Sequence, residues 1–174
     1  TNSGTISAGD DYGLYNDGTA TITTLTNTGT ISAAGNGISI SNDSTSTITT
    51  LNNSQGASGS ALTYKGKLPT NYNVIANSTA DYGKIVFSSV SGTTSFGVDS
   101  SSTLAGSTTY SAVVDGLSSG DIASGTSGTF TSGGASIDWT LDNSASTTWD
   151  LVTAAAIATN GTNTSITTHT KENV

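Results

Sequence analysis

The sequence predicts an all-β protein built as a β-solenoid, and two observations lead to this fold class. First, the motif TNSGTIS at residues 1–7 returns as TNTGTIS at residues 26–32, and the longer stretch at residues 12–25 is answered at residues 36–51. A period of 25 or 26 residues is typical of solenoids, in which each repeat buries its apolar face against its neighbours. Second, polar and apolar residues alternate within each repeat, as expected for strands with one buried face.

The regular repeats occupy residues 1–60, and identical residues of neighbouring repeats are expected to lie one strand spacing apart, about 4.8 Å. Asn2, Asn27 and Asn52 are each separated by 25 residues, so the sequence predicts a stacked ladder of these three side-chain amides. The threonines that flank the buried isoleucines are predicted to form an outward face. These threonines are Thr19, Thr21, Thr23, Thr45, Thr47 and Thr49.

Residues 61–153 are less regular and richer in aromatic and aliphatic side chains, which predicts irregular solenoid turns or a cap. Alternation around Trp139 and Trp149 indicates a half-buried hairpin near the end of this region. Residues 154–174 form a tail in which only AAAIA at 154–158 could form a helical turn, whereas residues 163–170 are a candidate donor or linking strand. The predicted strands of the second region cover residues 72–76, 84–90, 94–98, 109–114, 128–131, 136–142 and 147–153.

Composition limits the function classes. Only 33% of the 174 residues are hydrophobic, which suffices for the thin core of a solenoid but is low for a globular domain. The net charge of −8, with four basic residues, argues against binding to nucleic acid or to an anionic membrane surface. No apolar run approaches the roughly 20 residues of a membrane-spanning helix. An acidic chain rich in Thr, Ser and Asn and free of Cys is typical of bacterial proteins that are exported to the cell surface or beyond.

Longer stretches of the chain carry a family resemblance. Residues 82–117 (YGKIVFSSVSGTTSFGVDSSSTLAGSTTYSAVVDGL) and 136–152 (SIDWTLDNSASTTWDLV) resemble the C-terminal part of autotransporter passenger domains, and the LYNDGT repeats resemble the repeats of those passengers. The resemblance covers residues 1 to about 153. It implies a right-handed parallel β-helix with an irregular C-terminal cap, exported by a C-terminal β-barrel and displayed outside the cell. No barrel strands follow Val152, so we expect either cleavage or another export route.

The sequence predicts neither an enzyme nor a cofactor. The one histidine, His169, lies in the polar tail, where a catalytic imidazole would lack the buried and oriented setting that it needs. Asp10 and Asp11 are adjacent but have no counterpart in the second repeat, and most other aspartates are expected to stabilise turns. Structural calcium, bound by the loops rich in Gly and Asp, is an alternative for which no ligand set can be named.

The function predicted from these patterns is structural: an extracellular subunit that associates head to tail with copies of itself into a fibre or matrix, with adhesion to a host or surface ligand as a further role. The first repeat begins at Thr1 without a cap, and an uncapped coil is a template for another strand. The alternatives are a monomeric autotransporter adhesin fragment and an ice-binding β-helix that uses the threonine face. The predicted self-association residues are Thr1, Asn2, Ile6, Asn163, Ser165, Ile166 and Thr168.

Overall fold

The computed structural model describes residues 1–35 and 37–158, and it confirms the predicted β-solenoid, with parallel strands stacked in about five turns. The described residues contain no α-helix and one short 3-10 helix, Ser119–Asp121. Each of the first two coils contributes three strands, and each later coil contributes two. The solenoid strands are β1 (Thr5–Ala8), β2 (Tyr12–Asn16), β3 (Thr21–Asn27), β4 (Thr30–Ala33), β5 (Ile38–Asn42), β6 (Thr47–Asn53), β7 (Leu62–Lys67), β8 (Asn71–Val74), β9 (Ile85–Ser91), β10 (Thr94–Val98), β11 (Thr109–Asp115) and β12 (Ile122–Ser124).

The strands form three sheets that run along the stack. The shortest pairs β1 with β4, and the second follows the order β3-β6-β8-β10-β12. The third begins β2-β5-β7-β9-β11 and continues into an antiparallel cap. All three strands of the first coil therefore lie at an outer edge of their sheets.

Two columns of side chains in register run through the core. One column runs from Leu25 through Leu51 and Tyr72 to Phe96. The other runs from Leu14 through Ile40 and Tyr64 to Phe87. Both columns change from aliphatic to aromatic residues after the second coil. The richer aromatic composition that begins near residue 62 therefore lies partly in these two columns.

The aromatic members of the two columns meet in the middle of the stack. The rings of Tyr72 and Phe87 pack edge to face with their centroids 6.0 Å apart, and those of Tyr64 and Phe87 are 5.3 Å apart. Edge-to-face contacts of this kind stabilise a core beyond the burial of their area. The later coils are therefore held together by larger side chains than the first two.

The last coil is covered by an antiparallel meander that pairs with β11 through β15. A bulge in β11 places Ala112 at a φ of 53°, and its N–H donates to Asp150 Oδ1 at 2.7 Å. In the cap, Leu141 is opposite Leu151, as expected for the predicted hairpin. The cap strands are β13 (Ser127–Ser132), β14 (Ala135–Ala145), β15 (Thr148–Thr153) and β16 (Ile157–Ala158).

Residues 154–158, whose sequence could form a helical turn, do not form one. Residues 154–156 have no regular structure, and β16 pairs antiparallel with β14 through Ala135 and Ser136. The free edge of β14 beyond the end of β15 offers hydrogen bonds that override the helix propensity of alanine. No helix among the described residues is long and apolar enough to cross a membrane.

Candidate interaction surface at the first coil

The open end is the name we give to the outer edges of β1, β2 and residues 21–25 of β3. In the described part of the chain, each of these strands has a neighbouring strand on one side only. The N–H and C=O groups on the other side point away from the stack. The sequences of the three strands (TISA, YGLYN and TITTLTN) contain neither proline nor charged residues, which natural edge strands commonly use to prevent further pairing.

Apolar side chains are partly exposed at the open end. Ile22 is partly buried, whereas its register partner in the second coil, Ile48, is fully buried. The same difference separates Ile6 from Ile31, which is also fully buried. The first coil therefore presents both unpaired backbone groups and partly exposed apolar side chains whose register partners in the second coil are buried.

The first two residues close one part of this edge. Asn2 pairs with Asn27 in a parallel bridge, and its backbone N–H donates to the carbonyl of Thr26 at 2.8 Å. Thr1 is exposed beside it. Of the predicted self-association residues, Thr1 and Asn2 thus border the open end and Ile6 lies within it, whereas Asn163, Ser165, Ile166 and Thr168 lie outside the described residues.

The predicted amide ladder exists, but its third member is Asn53 and not Asn52. Asn2 Nδ2 donates to Asn27 Oδ1 at 2.9 Å, and Asn27 Nδ2 donates to Asn53 Oδ1 at 3.1 Å. The register between β3 and β6 is 26 residues, so Asn52 faces Thr26. Since neighbouring residues of a strand face opposite sides, this shift moves Asn52 out of the ladder. Asn52 instead accepts a hydrogen bond from Asn73 at 2.9 Å.

A second amide ladder was not predicted, although its residues are visible in the repeat. Asn16 Nδ2 donates to Asn42 Oδ1 at 2.8 Å, and Asn42 Nδ2 donates to the carbonyl of Lys67. The ladder ends at Gly66, the register partner of Asn42, where a Cβ would lie 2.0 Å from the Asn42 carbonyl oxygen. The signal in the sequence was the 26-residue spacing of Asn16 and Asn42.

Gln55 ends the shortest sheet by replacing a strand with its side chain. Its Oε1 accepts the N–H of Ile31 at 2.8 Å, and its Nε2 donates to the Ile31 carbonyl at 3.2 Å. The amide thus satisfies both backbone groups that a third strand would pair. On this side of the stack, further parallel addition is blocked beyond the second coil, in contrast to the first coil.

The predicted threonine face is only partly formed. Thr21 is paired in register with Thr47, and Thr23 is exposed. Thr19 and Thr45 lie in turns before the strands, where the Thr45 hydroxyl donates to Asp43 and to the carbonyl of Gly18. Thr47 and Thr49 are exposed to solvent only in part.

The interruption has a cause in the strand itself. Ile22 and Leu25 both point inward, with two threonines between them, so the alternation breaks in the middle of the strand. The alternation predicted from the sequence covers residues 19–23 and 45–49, and the break lies directly after Thr23. A flat threonine plane, which the ice-binding alternative requires, is therefore limited to a short segment of two coils.

Many of the described aspartates are engaged in turns. Asp43 Oδ1 accepts the N–H of Thr45 at 3.0 Å, and this hydrogen bond to the backbone holds the pKa of the Asp43 carboxyl below its usual value. Asp99 makes the equivalent bond to the N–H of Ser101, and both are Asx turns, whereas Asp121 accepts the N–H of Ser118, three residues earlier, at the start of the 3-10 helix. Such Asx turns are the ordinary use of aspartate between strands.

Asp10 and Asp11 lie in a shallow depression with Tyr12 and Lys65. Both carboxylates belong to exposed residues, and Lys65 Nζ donates to the Tyr12 hydroxyl at 2.6 Å. Among residues 1–35 and 37–158, no three acidic or histidine side chains come together as a metal-binding group. His169, the one histidine of the sequence, lies outside these residues.

Comparison of the chain with protein-family models, with curated proteins and with solved structures gave no match.

Proposed function

We propose that this chain is a non-enzymatic structural subunit that associates end to end through the open end into an extracellular fibre or surface matrix. The observation that carries the proposal is the asymmetry of the stack. The first coil presents the outer edges of three strands, whereas in the last coil the antiparallel meander covers β11 and only the three-residue strand β12 lies at an edge. A contact between two different ends is heterologous, so each added copy leaves a new open end and the assembly grows as a filament.

Two features of the surface support this proposal. The open end has the parallel strand geometry of the interior coils and exposes Ile22, Leu14 and Ile6, so a partner strand would gain both hydrogen bonds and apolar burial. In addition, Asp43, Asp99 and Asp121 use their carboxylates to accept backbone hydrogen bonds, which supports a structural role for these residues. Placement at a bacterial cell surface, and adhesion to a ligand there, rest on composition and family resemblance.

Sedimentation velocity over a range of concentrations, combined with electron microscopy, tests the proposal. We expect the 174-residue chain to form larger species as concentration rises and to appear as filaments. Ile22→Lys places a charge at the open end and should return the protein to a folded monomer, as judged by circular dichroism. Ser91→Lys is the matched control, because Ser91 is exposed on β9 in the middle of the stack. A chain that stays monomeric up to millimolar concentration would contradict the proposal.

A further inference from the structure

The tail contains a copy of the β3 sequence. Residues 165–170 read SITTHT, and residues 21–26 in β3 read TITTLT. When Ile166 is aligned with Ile22, Asn160 falls on Asn16, the residue that begins the second amide ladder. The tail therefore carries both the strand motif and the ladder residue of a solenoid coil, at a place in the chain that follows the cap.

We propose that residues 160–169 of one copy lie alongside residues 16–25 of a second copy, with residues 165–169 added as a parallel strand to the outer edge of β3 and Ile166 stacked on Ile22. This inference rests on the proposed function, because it names the segment and the site through which the copies associate. The register of the first two coils is the template: Ile22 stacks on Ile48 and Thr24 on Thr50 in the same way.

The amide ladder favours the same register. Asn16 uses its Nδ2 to donate to Asn42 Oδ1 at 2.8 Å, so its Oδ1 is directed away from the second coil. An asparagine one coil further out would donate to this oxygen, just as Asn16 donates to Asn42. In the proposed register, Asn160 takes that position.

The length of the free edge fits the length of the motif. Beyond Leu25, the outer edge of β3 is already occupied, because Asn2 N–H donates to the Thr26 carbonyl and Asn2 pairs with Asn27. A donor strand aligned on Ile22 would therefore end at His169, opposite Leu25. His169 takes the position of the apolar Leu25, so Ile166 is the one apolar anchor among residues 160–169.

Chain length favours a second copy over the same molecule. Ala158 lies in β16, which pairs with the edge of β14 that β15 also uses, at the capped end. To reach the open end of its own molecule, the tail would have to pass from the level of β15 to the level of a strand added outside β2. This path crosses six strand spacings, a distance of about 29 Å. The seven residues from Ala158 to Ser165 span at most about 25 Å when fully extended. The tail of a neighbouring copy stacked at the open end has no such gap to bridge.

Disulfide trapping tests the register, and the absence of cysteine in the sequence makes the experiment clean. Residues paired on adjacent strands have a Cα separation that suits a disulfide. One population would carry Thr168→Cys and a second Thr24→Cys, so that only contacts between copies are trapped. We expect covalent dimers under mild oxidation. The control replaces Thr24→Cys with Thr5→Cys in β1 and should give few or none.

A matched pair of charge substitutions tests the anchor. Ile166→Asp should weaken association at least tenfold in sedimentation velocity, because a carboxylate would then face the partly buried Ile22. Thr167→Asp adds the same charge at the position of the exposed Thr23 and should have little effect. A synthetic peptide of residues 159–174 should compete with association, and the same peptide with Ile166→Asp should not.

The outcomes separate this inference from the proposed function. If the unchanged chain associates but Ile166→Asp does not weaken association, or if Thr5→Cys traps as well as Thr24→Cys, the donor strand is wrong and another contact joins the copies. If the unchanged chain does not associate, both proposals fail.

Discussion

The first and second coils have almost the same sequence but different environments. The TITTL segment occurs at residues 21–25 and again at 47–51 in direct register. Ile48 and Leu51 are fully buried, because strands lie on both sides of β6. Ile22 is only partly buried and Leu25 is 8% exposed, because β3 has a neighbour on one side.

This comparison shows that burial in a solenoid is a property of the stack and not of the single repeat. A repeat cannot enclose its own apolar face, so identical residues differ in their contribution to stability according to the coil on either side. Among the described residues, the first coil has the strand pattern of an interior coil and a neighbouring coil on one side. The four predictions below test this difference, from the largest expected effect to the smallest.

Truncation of the equivalent residues Ile22 and Ile48 should show the largest difference in stability between the first and second coils. Ile48→Ala should lower the free energy of unfolding by about 2–4 kcal/mol, because it opens a cavity between two coils. Ile22→Ala should cost about half as much or less under dilute conditions, since this side chain is partly solvated. Urea denaturation of both variants gives the two values. Equal losses would contradict the difference in burial.

The first amide ladder should show the same dependence on position. Asn27 is fully buried, accepts from Asn2 and donates to Asn53 and Gln55. Asn27→Ala removes three side-chain hydrogen bonds from a fully buried position and should cost about 2–3 kcal/mol. Asn2→Ala, at the outer end of the ladder, should cost about 0.5–1 kcal/mol. A larger loss for Asn2 than for Asn27 in denaturation experiments would refute this account.

Alkaline pH should destabilise the later coils. Burial raises the pKa of the phenols of Tyr64 and Tyr72, because the interior disfavours the phenolate. The stability that these neutral phenols contribute is complete below the unfolded pKa of about 10 and is lost as pH rises beyond it. The urea midpoint should therefore fall between about pH 10 and 12.

The second coil should not contribute to this pH effect. Its residues in the same two columns, Ile40 and Leu51, have no titratable group. Tyr72→Phe should reduce the alkaline loss of stability, whereas its effect at pH 7 should be small. An unchanged alkaline profile in this variant would show that another group is responsible.

The smallest expected effect concerns two buried threonines, Thr94 in β10 and Thr153 in the cap strand β15. Thr94 Oγ1 is a buried atom without a hydrogen-bond partner, whereas Thr153 Oγ1 donates to the carbonyl of Ala105 at 2.7 Å. Thr94→Val should stabilise the fold by about 0.5–1 kcal/mol, and Thr153→Val should destabilise it by about 1–2 kcal/mol. Thermal denaturation of the two variants measures both changes, and a stabilising Thr153→Val would be inconsistent with this structure.

Much of the fold could be predicted from the sequence, because residues that pair on neighbouring coils recur at a nearly constant spacing along the chain. The spacing of Ile22 and Ile48 places one above the other, and alternation near Trp139 and Trp149 indicates the cap hairpin. The third member of the first amide ladder could not be assigned from the sequence. One turn between coils holds an extra residue, and the sequence does not show which turn it is. Asn52 and Asn53 are adjacent, and only the register of β6 decides between them.

The capping of β4 by Gln55 could not be predicted from the sequence either. The Gln55 side chain bonds the backbone of Ile31, a residue of another coil. Similarly, the position of Ala112 in a bulge depends on Asp150, 38 residues later in the sequence. Both features replace regular strand pairing with side-chain hydrogen bonds, which leave no periodic signal. The open end was predicted in its location, and its role in association stays a proposal.

Hydrogen exchange at the backbone amides of residues 21–25 and 47–51 would test the central claim most directly. At low concentration, we expect the N–H groups of the first segment that point to the open edge to exchange rapidly, and those of the second segment to be protected. As concentration rises and copies associate, residues 21–25 should become as protected as residues 47–51. Protection of residues 21–25 that does not change while larger species form would contradict the claim that this edge joins the copies.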